Sequence, residues 1–247
     1  TTWSRGLGDV YKRQILVRHG QSAWNLEKKF TGWVDVDLTE KGKLEAEKAG
    51  RLIKQKNINI DYFYSSLQKR ATNTLKIIQD VLGHKKDPVK TWCLNERHYG
   101  ALTGLNKIEL SKKIGENKVH DLRRSWDTKP DPLSKESPYH PLNIKTYENL
   151  PKEILPDTES LKDTFERVQE YFKREIKEKI INNNILISAH GNSIRALCKH
   201  LLKLDNNQIA YLEIPTGNPL ILELNDKFEV KNCEYLDKER SKDLLVF

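Results

Sequence analysis

Two apolar runs far apart in this chain end on the same kind of turn. Ile15-Leu16-Val17 leads into Arg18-His19-Gly20-Gln21-Ser22, and Ile185-Leu186-Ile187-Ser188-Ala189 leads into His190-Gly191-Asn192-Ser193. Short, uninterrupted apolar runs of this type read as strands buried on both faces, as in parallel sheets covered by helices. Ligands of such sheets bind beyond the carboxyl ends of the strands. If the two strands are neighbours, His19 and His190 face each other across one crevice, each brought in by a glycine turn.

The rest of the chain alternates in the way this requires. Thr39 can cap a helix to about Lys54, with Ala46, Ala49, Leu52 and Ile53 on one face. Asp61–Tyr64 reads as a strand. Ser65 or Ser66 then caps a helix with the stripe Leu67, Ala71, Leu75, Ile78 and Leu82, closed by Gly83. Val89–Trp92 is a third strand candidate, and residues 106–126 are helical in places. Residues 127–158 are rich in proline and lack a period; a loop of that length in a compact domain signals function. Leu161, Phe165, Val168, Phe172 and Ile176 mark a further helix, as do Ile194, Leu197, Cys198 and Leu201. Ala210–Ile214, Pro219–Leu224 and Glu229–Leu236 read as strands or extended pieces.

Strands alternating with helices predict an α/β three-layer sandwich, a mostly parallel central sheet with helices on both faces. A single domain is expected over residues 15–240, with a helical lid inserted at about 101–158 and a tail at 241–247. Residues 1–14 fit poorly with the strand they precede and lack the apolar stretch of a signal peptide. They read as a non-native or disordered prefix.

At 247 residues the chain can bury a sizeable core, and its net charge of +8 favours anionic partners. Lys and Glu interleave along the helices, which suits a solvated face rather than a nucleic-acid stripe. Cys93, Cys198 and Cys233 are few, odd in number and without CxxC spacing, which implies a reducing compartment and a cytoplasmic location. No apolar run reaches membrane-spanning length. The histidines show no metal-binding spacing, so no metal is expected.

A neutral imidazole nitrogen is a good nucleophile toward phosphorus, and a transferring phosphoryl group needs fixed positive donors. Arg18 beside His19, and Arg70 at the start of the helix after the second strand, offer guanidinium forks that match phosphate oxygens. Taken one at a time, these residues have plainer readings. His190 could be a satisfied core histidine and Arg70 a solvated helix residue. Arg123 and Arg124 could be a solvated helix face, since adjacent helical residues point about 100° apart and converge on one ligand only at a helix end. What sets the plainer readings aside is the repeated strand–His–Gly device.

The run Arg18-His19-Gly20-Gln21-Ser22-Ala23-Trp24-Asn25 resembles the signature of the histidine phosphatase superfamily, and within it the bisphosphoglycerate-dependent phosphoglycerate mutases. The likeness continues in Phe30-Thr31-Gly32-Trp33, Leu94-Asn95-Glu96-Arg97-His98-Tyr99-Gly100, Arg123-Arg124-Ser125, Glu159-Ser160-Leu161 and Ile214-Pro215-Thr216-Gly217. It covers essentially residues 15–236. The resemblance implies that His19 becomes phosphohistidine, that Arg18, Asn25, Arg70 and His190 cradle the transferring group, and that Glu96 exchanges a proton with the substrate hydroxyl. It assigns substrate binding to Ser22, Thr31, Gly32, Arg97, Tyr99, Lys107, Arg123, Arg124, Gly191 and Asn192 as well. It also implies 2,3-bisphosphoglycerate as primer and intermediate, no metal, phosphoglycerates as small-molecule partners, no nucleic acid or membrane, and a homo-oligomer (dimer or tetramer). The rivals are a bisphosphoglycerate synthase or phosphatase, or another small-molecule histidine phosphatase, on the same scaffold. In the family, synthases carry Gly where this chain has Ser22. A non-catalytic anion-binding scaffold is a rival of another class.

Overall fold

The computed structural model describes residues 12–241. In chain order the elements are β1 (Lys12–Arg18), α1 (Ala23–Leu26), α2 (Glu40–Gln55), β2 (Tyr62–Ser65), α3 (Lys69–Leu82), β3 (Val89–Lys90), α4 (Lys107–Ile114) and α5 (Glu116–Arg124). They continue as α6 (Leu161–Tyr171), α7 (Lys177–Ile180), β4 (Ile185–Ala189), α8 (Gly191–Leu202), α9 (Asn206–Tyr211), β5 (Leu220–Leu224) and β6 (Val230–Tyr235). One six-stranded sheet has the order β3-β2-β4-β1-β5-β6. The pairings β2–β3, β2–β4 and β1–β4 are parallel, while β1–β5 and β5–β6 are antiparallel.

The period-2 alternation of the strands divides the core in two. Ile15, Val17, Phe63 and Leu186 point to one face, where they pack with Ala49 and Ile53 of α2 and Leu75 and Ile78 of α3. Leu16, Tyr64, Ile185 and Ile187 point to the other, against Val168 and Tyr171 of α6 and Ile194 and Leu197 of α8. This is the three-layer sandwich expected, with its helices on both faces. The pairing that matters most is β1 with β4, which sets Arg18 beside Ala189. A backbone bond from His19 N to Ala189 O (3.0 Å) carries the pairing into the turn itself.

Several expectations are corrected. β1 begins at Lys12, not Ile15, and Gln14 is buried within it. Arg13 opposes Glu223 on β5, and their side chains form a 2.9 Å ion pair. That cross-strand pair lets a charged residue sit in a strand from which hydrophobicity alone would exclude it. The expected prefix therefore loses residues 12–14 to the sheet; its remainder, residues 1–11, lies outside the described residues, as do 242–247 of the tail.

Neither Ser65 nor Ser66 caps α3; Gln68 occupies that position, without a side-chain cap bond. The third strand is two residues long, after which Trp92–Leu94 forms a 3-10 turn. The expected extended piece Ala210–Ile214 is instead the end of α9 and its exit. Asp205 and Gln208 form a capping box at its start, a signal stronger than the β-propensity of the Tyr-Leu-Glu-Ile that follows.

Residues 127–158 contain three 3-10 turns. A long-range bond holds this segment down, from Tyr147 Oη to Trp33 O, and Thr158 Oγ1 closes the segment on itself by donating to Pro130 O. Among the described residues, no helix is long and apolar enough to cross a membrane.

Candidate active site

The site forms at the carboxyl ends of β1 and β4, where the two His-Gly turns meet. The rings of His19 and His190 lie 5.0 Å apart between centroids. His19 Nδ1 is 2.7 Å from Gly20 O. A carbonyl can only accept, so Nδ1 carries the proton and Nε2 keeps its lone pair. Burial, followed by the charges of Arg70 and Arg18, holds the His19 imidazole well below its ordinary range. The ring is therefore neutral at neutral pH, with a nucleophilic Nε2. His190 is held low by burial, then by Arg70 and His19. Its Nε2 is 2.8 Å from Ser66 Oγ, which is where the hydroxyl expected to cap α3 is used instead.

Gly20 has a different purpose from the one its place in the turn suggests. A Cβ there would lie 2.1 Å from Gly42 O. The glycine admits the first turn of α2 rather than a ligand. Gly191 is the residue that leaves room in the site. A Cβ on it would stand 3.4 Å from Arg195 Nη1 and 3.7 Å from both Arg18 Nε and Glu96 Oε2.

The cations around this space are held by backbone carbonyls. Arg70 donates to Val34 O (2.8 Å) and Gly32 O (2.9 Å), and Arg18 to Ile214 O (2.8 Å). Gly217 N in turn donates to Arg18 O (2.8 Å), so the Ile214–Gly217 run braces the first strand end. Two buried guanidinium nitrogens in this region have no hydrogen-bond partner: Arg18 Nε and Arg124 Nη1. Unpaired buried donors are costly. Their presence in the same pocket as a neutral nucleophile fits a site built to receive an anion.

Glu96 is fixed through one oxygen and open at the other. Its Oε1 accepts from Arg97 N (2.8 Å) and Asn192 N (3.2 Å). Beneath it, Arg167 donates to the carbonyls of Cys93, Asn95 and Glu96 and pairs with buried Glu159 at 2.7 Å. Glu159 Oε2 also accepts from His98 N, so the whole Asn95–His98 loop hangs on this ion pair.

A cavity of about 130 Å³ collects His19, Arg18, Asn25, Thr31, Gly32, Arg70, Glu96, Tyr99, Lys107, Arg123, Arg124, Gly191 and Asn192. Arg123 and Arg124 are the last two residues of α5, the helix-end position from which adjacent arginines can both reach one ligand. Burial, then Arg123 and Arg18, push the Lys107 amine down to about 8.

Two expected substrate residues stand apart from this lining. Ser22 is buried as the N-cap of α1, in a capping box with Asn25. Arg97 is buried with its guanidinium on Glu159 O, Arg123 O and Thr128 O, tying the loop to the end of α5. Both shape the wall rather than face the cavity. Conversely, Arg195 and Glu213 line the cavity and were not anticipated. Arg195 could have been found, one helical turn beyond Gly191 on α8. Glu213 gave no signal, lying in the piece misread as extended.

Among the described residues no cluster of three His, Cys, Asp or Glu side chains is arranged to hold a metal ion. The arrangement suits transfer of a phosphoryl group to and from a histidine.

Comparison with known proteins agrees. The model of the histidine phosphatase superfamily, branch 1, matches residues 14–141 and 138–233. A 2,3-bisphosphoglycerate-dependent phosphoglycerate mutase from Pelagibacter ubique is 68% identical over 94% of this chain and 98% of its own length. The enzyme of the same name from Hamiltonella defensa is 48% identical over 91% of each chain. Among solved structures, a mycobacterial glucosyl-3-phosphoglycerate phosphatase in complex with VO3 superposes with a TM-score of 0.63 at 22% identity, covering 85% of this chain and 92% of that one. The alpha-ribazole phosphatase of Shigella flexneri gives 0.63 at 18% identity, covering 88% and 93%. These structures share the fold. The chain belongs to the histidine phosphatase superfamily, and within it to the 2,3-bisphosphoglycerate-dependent phosphoglycerate mutases.

Proposed function

We propose that this chain interconverts 3-phosphoglycerate and 2-phosphoglycerate, the step shared by glycolysis and gluconeogenesis, through a phosphohistidine at His19. The observation that carries the reading is the neutral, Nδ1-protonated His19 in a pocket with Arg18 and Arg124, each of which keeps one buried nitrogen without a partner.

When bound, 2,3-bisphosphoglycerate supplies the phosphoryl group that primes the enzyme. His19 Nε2 gives its lone pair to phosphorus as the bond from phosphorus to the glycerate oxygen breaks. Arg18, Arg70 and His190 face the charge that spreads over the equatorial oxygens, which is where such sites do most of their work. Glu96, with one oxygen pinned by two N–H groups, hands a proton to the departing oxygen through the other. The reverse transfer to the second hydroxyl uses the same groups with Glu96 as base. Arg123, Arg124 and Lys107, all from residues 101–158, hold the far phosphate or carboxylate while the intermediate turns. In this reading that segment is the lid. The location is cytoplasmic, the assembly a homo-oligomer, and metal takes no part.

Phosphorus NMR of 3-phosphoglycerate incubated with enzyme, with and without primer and in the presence of a chelator, tests the reading. The expected product is 2-phosphoglycerate, formed faster with primer and unaffected by chelation. Inorganic phosphate as the main product would make the chain a phosphatase, and loss of activity on chelation would rule out the metal-free reading.

A further inference from the structure

Two carboxylates line the inner cavity. Glu96 has a place in the chemistry, whereas Glu213 has none, although a negative group in a pocket for phosphates repels the ligand unless it holds a cation. Its surroundings show which one. Glu213 Oε1 accepts from Arg124 Nη2 at 2.5 Å, and Oε2 lies 3.6 Å from Arg195 Nη2. Arg124 is 9% exposed, and its other terminal nitrogen, Nη1, is buried without a partner. One arm of the guanidinium fork is thus engaged, and the other is left without a partner in a side chain that lines the cavity.

The support beneath Glu213 is rigid. Tyr235 Oη on β6 donates to its backbone carbonyl (3.0 Å). Arg195 is held by Leu212 O (2.6 Å) and Asn192 Oδ1 (3.1 Å). Asn192 also donates to Tyr99 Oη (2.9 Å) and, from its backbone, to Glu96 Oε1. Residue 124 comes from the segment over the site, and all the other members come from the body of the molecule.

We propose that Glu213 is a positioning residue for Arg124, fixing the open arm of its guanidinium for the far end of the substrate and joining the covering segment to the network that holds Glu96. The inference rests on the function proposed above, because it takes the far end to be a phosphate or carboxylate. Glu213 does not touch the reacting atoms. A planar fork held at one nitrogen presents the other in one place, so less is lost when a ligand binds.

The test combines kinetics with equilibrium binding. In Glu213→Ala, KM for both monophosphates should rise about tenfold with a smaller fall in kcat, and phosphoenzyme should still form at saturating 2,3-bisphosphoglycerate. Glu213→Gln, which keeps an acceptor of the same shape, should recover part of the loss. Adding Glu213→Ala to Arg124→Ala should change KM by less than about twofold, since the two residues act as a unit. Calorimetric binding of 2,3-bisphosphoglycerate to His19→Ala, with and without Glu213→Ala, reads the same coupling without turnover.

Unchanged affinity in the calorimetry, or effects of the two substitutions that multiply, would overturn the inference. So would a fall in kcat alone, equal in the Ala and Gln variants, which is the mark of a merely structural role. A wild-type enzyme that fails to interconvert phosphoglycerates would sink the proposed function. The binding experiment would still decide the role of Glu213.

Discussion

The site has two regions that carry the same charge and are built in opposite ways. The inner cavity, about 130 Å³, is walled by guanidinium groups, those of Arg18 and Arg70 tied to backbone carbonyls, and by the His19 imidazole, buried too deeply to protonate readily. It opens into a basin of about 1100 Å³ lined by Lys28, Lys41, Lys48, Lys112, Arg240 and other residues, with Leu44 and Ile108 among them. Lys28, Lys41 and Lys112 are exposed. The preponderance of arginine inside and of lysine outside, with Lys107 and Arg240 as exceptions, follows from hydration. A guanidinium tolerates desolvation and fixes geometry through its fork, whereas an ammonium keeps its water and acts as a point charge. The inner region can stabilise a charge at one place in the transition state. The outer one can only raise the local concentration of anions.

The deepest break of this contrast is at His19. Replacing it with Ala removes the nucleophile while leaving both charged regions in place. Mutase turnover should fall by roughly 10⁴-fold or more, the scale seen when a nucleophile is deleted. Labelled 2,3-bisphosphoglycerate should leave no acid-labile label on the variant. Label at the wild-type level would mean that another group takes the phosphoryl.

Arg123 lines both regions, and Arg124 beside it lines the inner one. Losing a charged hydrogen-bond partner to a phosphate costs about 1.5–3 kcal/mol, or roughly ten- to a hundredfold in binding. Replacing both with Ala should lower mutase turnover sharply while hydrolysis of bisphosphoglycerate falls less, so the phosphatase share rises. Wild-type mutase kinetics in the double variant would place these arginines with the outer, merely attractive charges.

The same two regions divide what the sequence could reveal. The inner cavity was legible because its residues sit at positions dictated by regular structure. His19 and His190 end neighbouring parallel strands, and Arg70 opens a helix immediately after a third. Strand registration then brings them together without further information. What was missed depends on side chains reaching across the chain. Ser66 was read as a cap because its local position suits one, yet its hydroxyl meets His190 across 124 residues. Arg97 and Ser22 belong to the right motifs but turn into the wall. Glu213 pairs with an arginine 89 residues away, and nothing local marks it. At the start of β1, an interior strand of the sheet, Arg13 hides the strand's beginning for the same reason.

Lys107 separates the regions by pH. Its amine is half-buried, and burial, then Arg123 and Arg18, lower it to about 8. The charged form is the one that attracts an anion, so affinity is full below that value and is lost as pH rises through it. KM should climb roughly eightfold between pH 7.5 and 9, following the protonated fraction of a group titrating near 8. Lys107→Arg, which stays charged, should flatten the rise. His19 is already neutral in this range and adds nothing to it. An unchanged rise in the Arg variant would assign the titration to another group.

The smallest expected effect is the most diagnostic of the outer basin. Lys28, Lys41 and Lys112 act through solvent, so their influence should follow the screening length, about 10 Å at 0.1 M salt and about 3 Å at 1 M. Replacing all three with Gln should lower kcat/KM about two- to fivefold at low ionic strength, by slowing capture of the anionic substrate. The variant and wild type should converge as salt is raised, with kcat and phosphoenzyme level unchanged throughout. Arg123→Ala and Arg124→Ala should behave differently, since contacts made at hydrogen-bond distance inside a dry cavity are screened far less. Their deficit should persist at high salt. A triple-lysine deficit that also persists would show that one of these lysines reaches the bound substrate directly. The basin would then be a continuation of the inner cavity rather than its electrostatic approach.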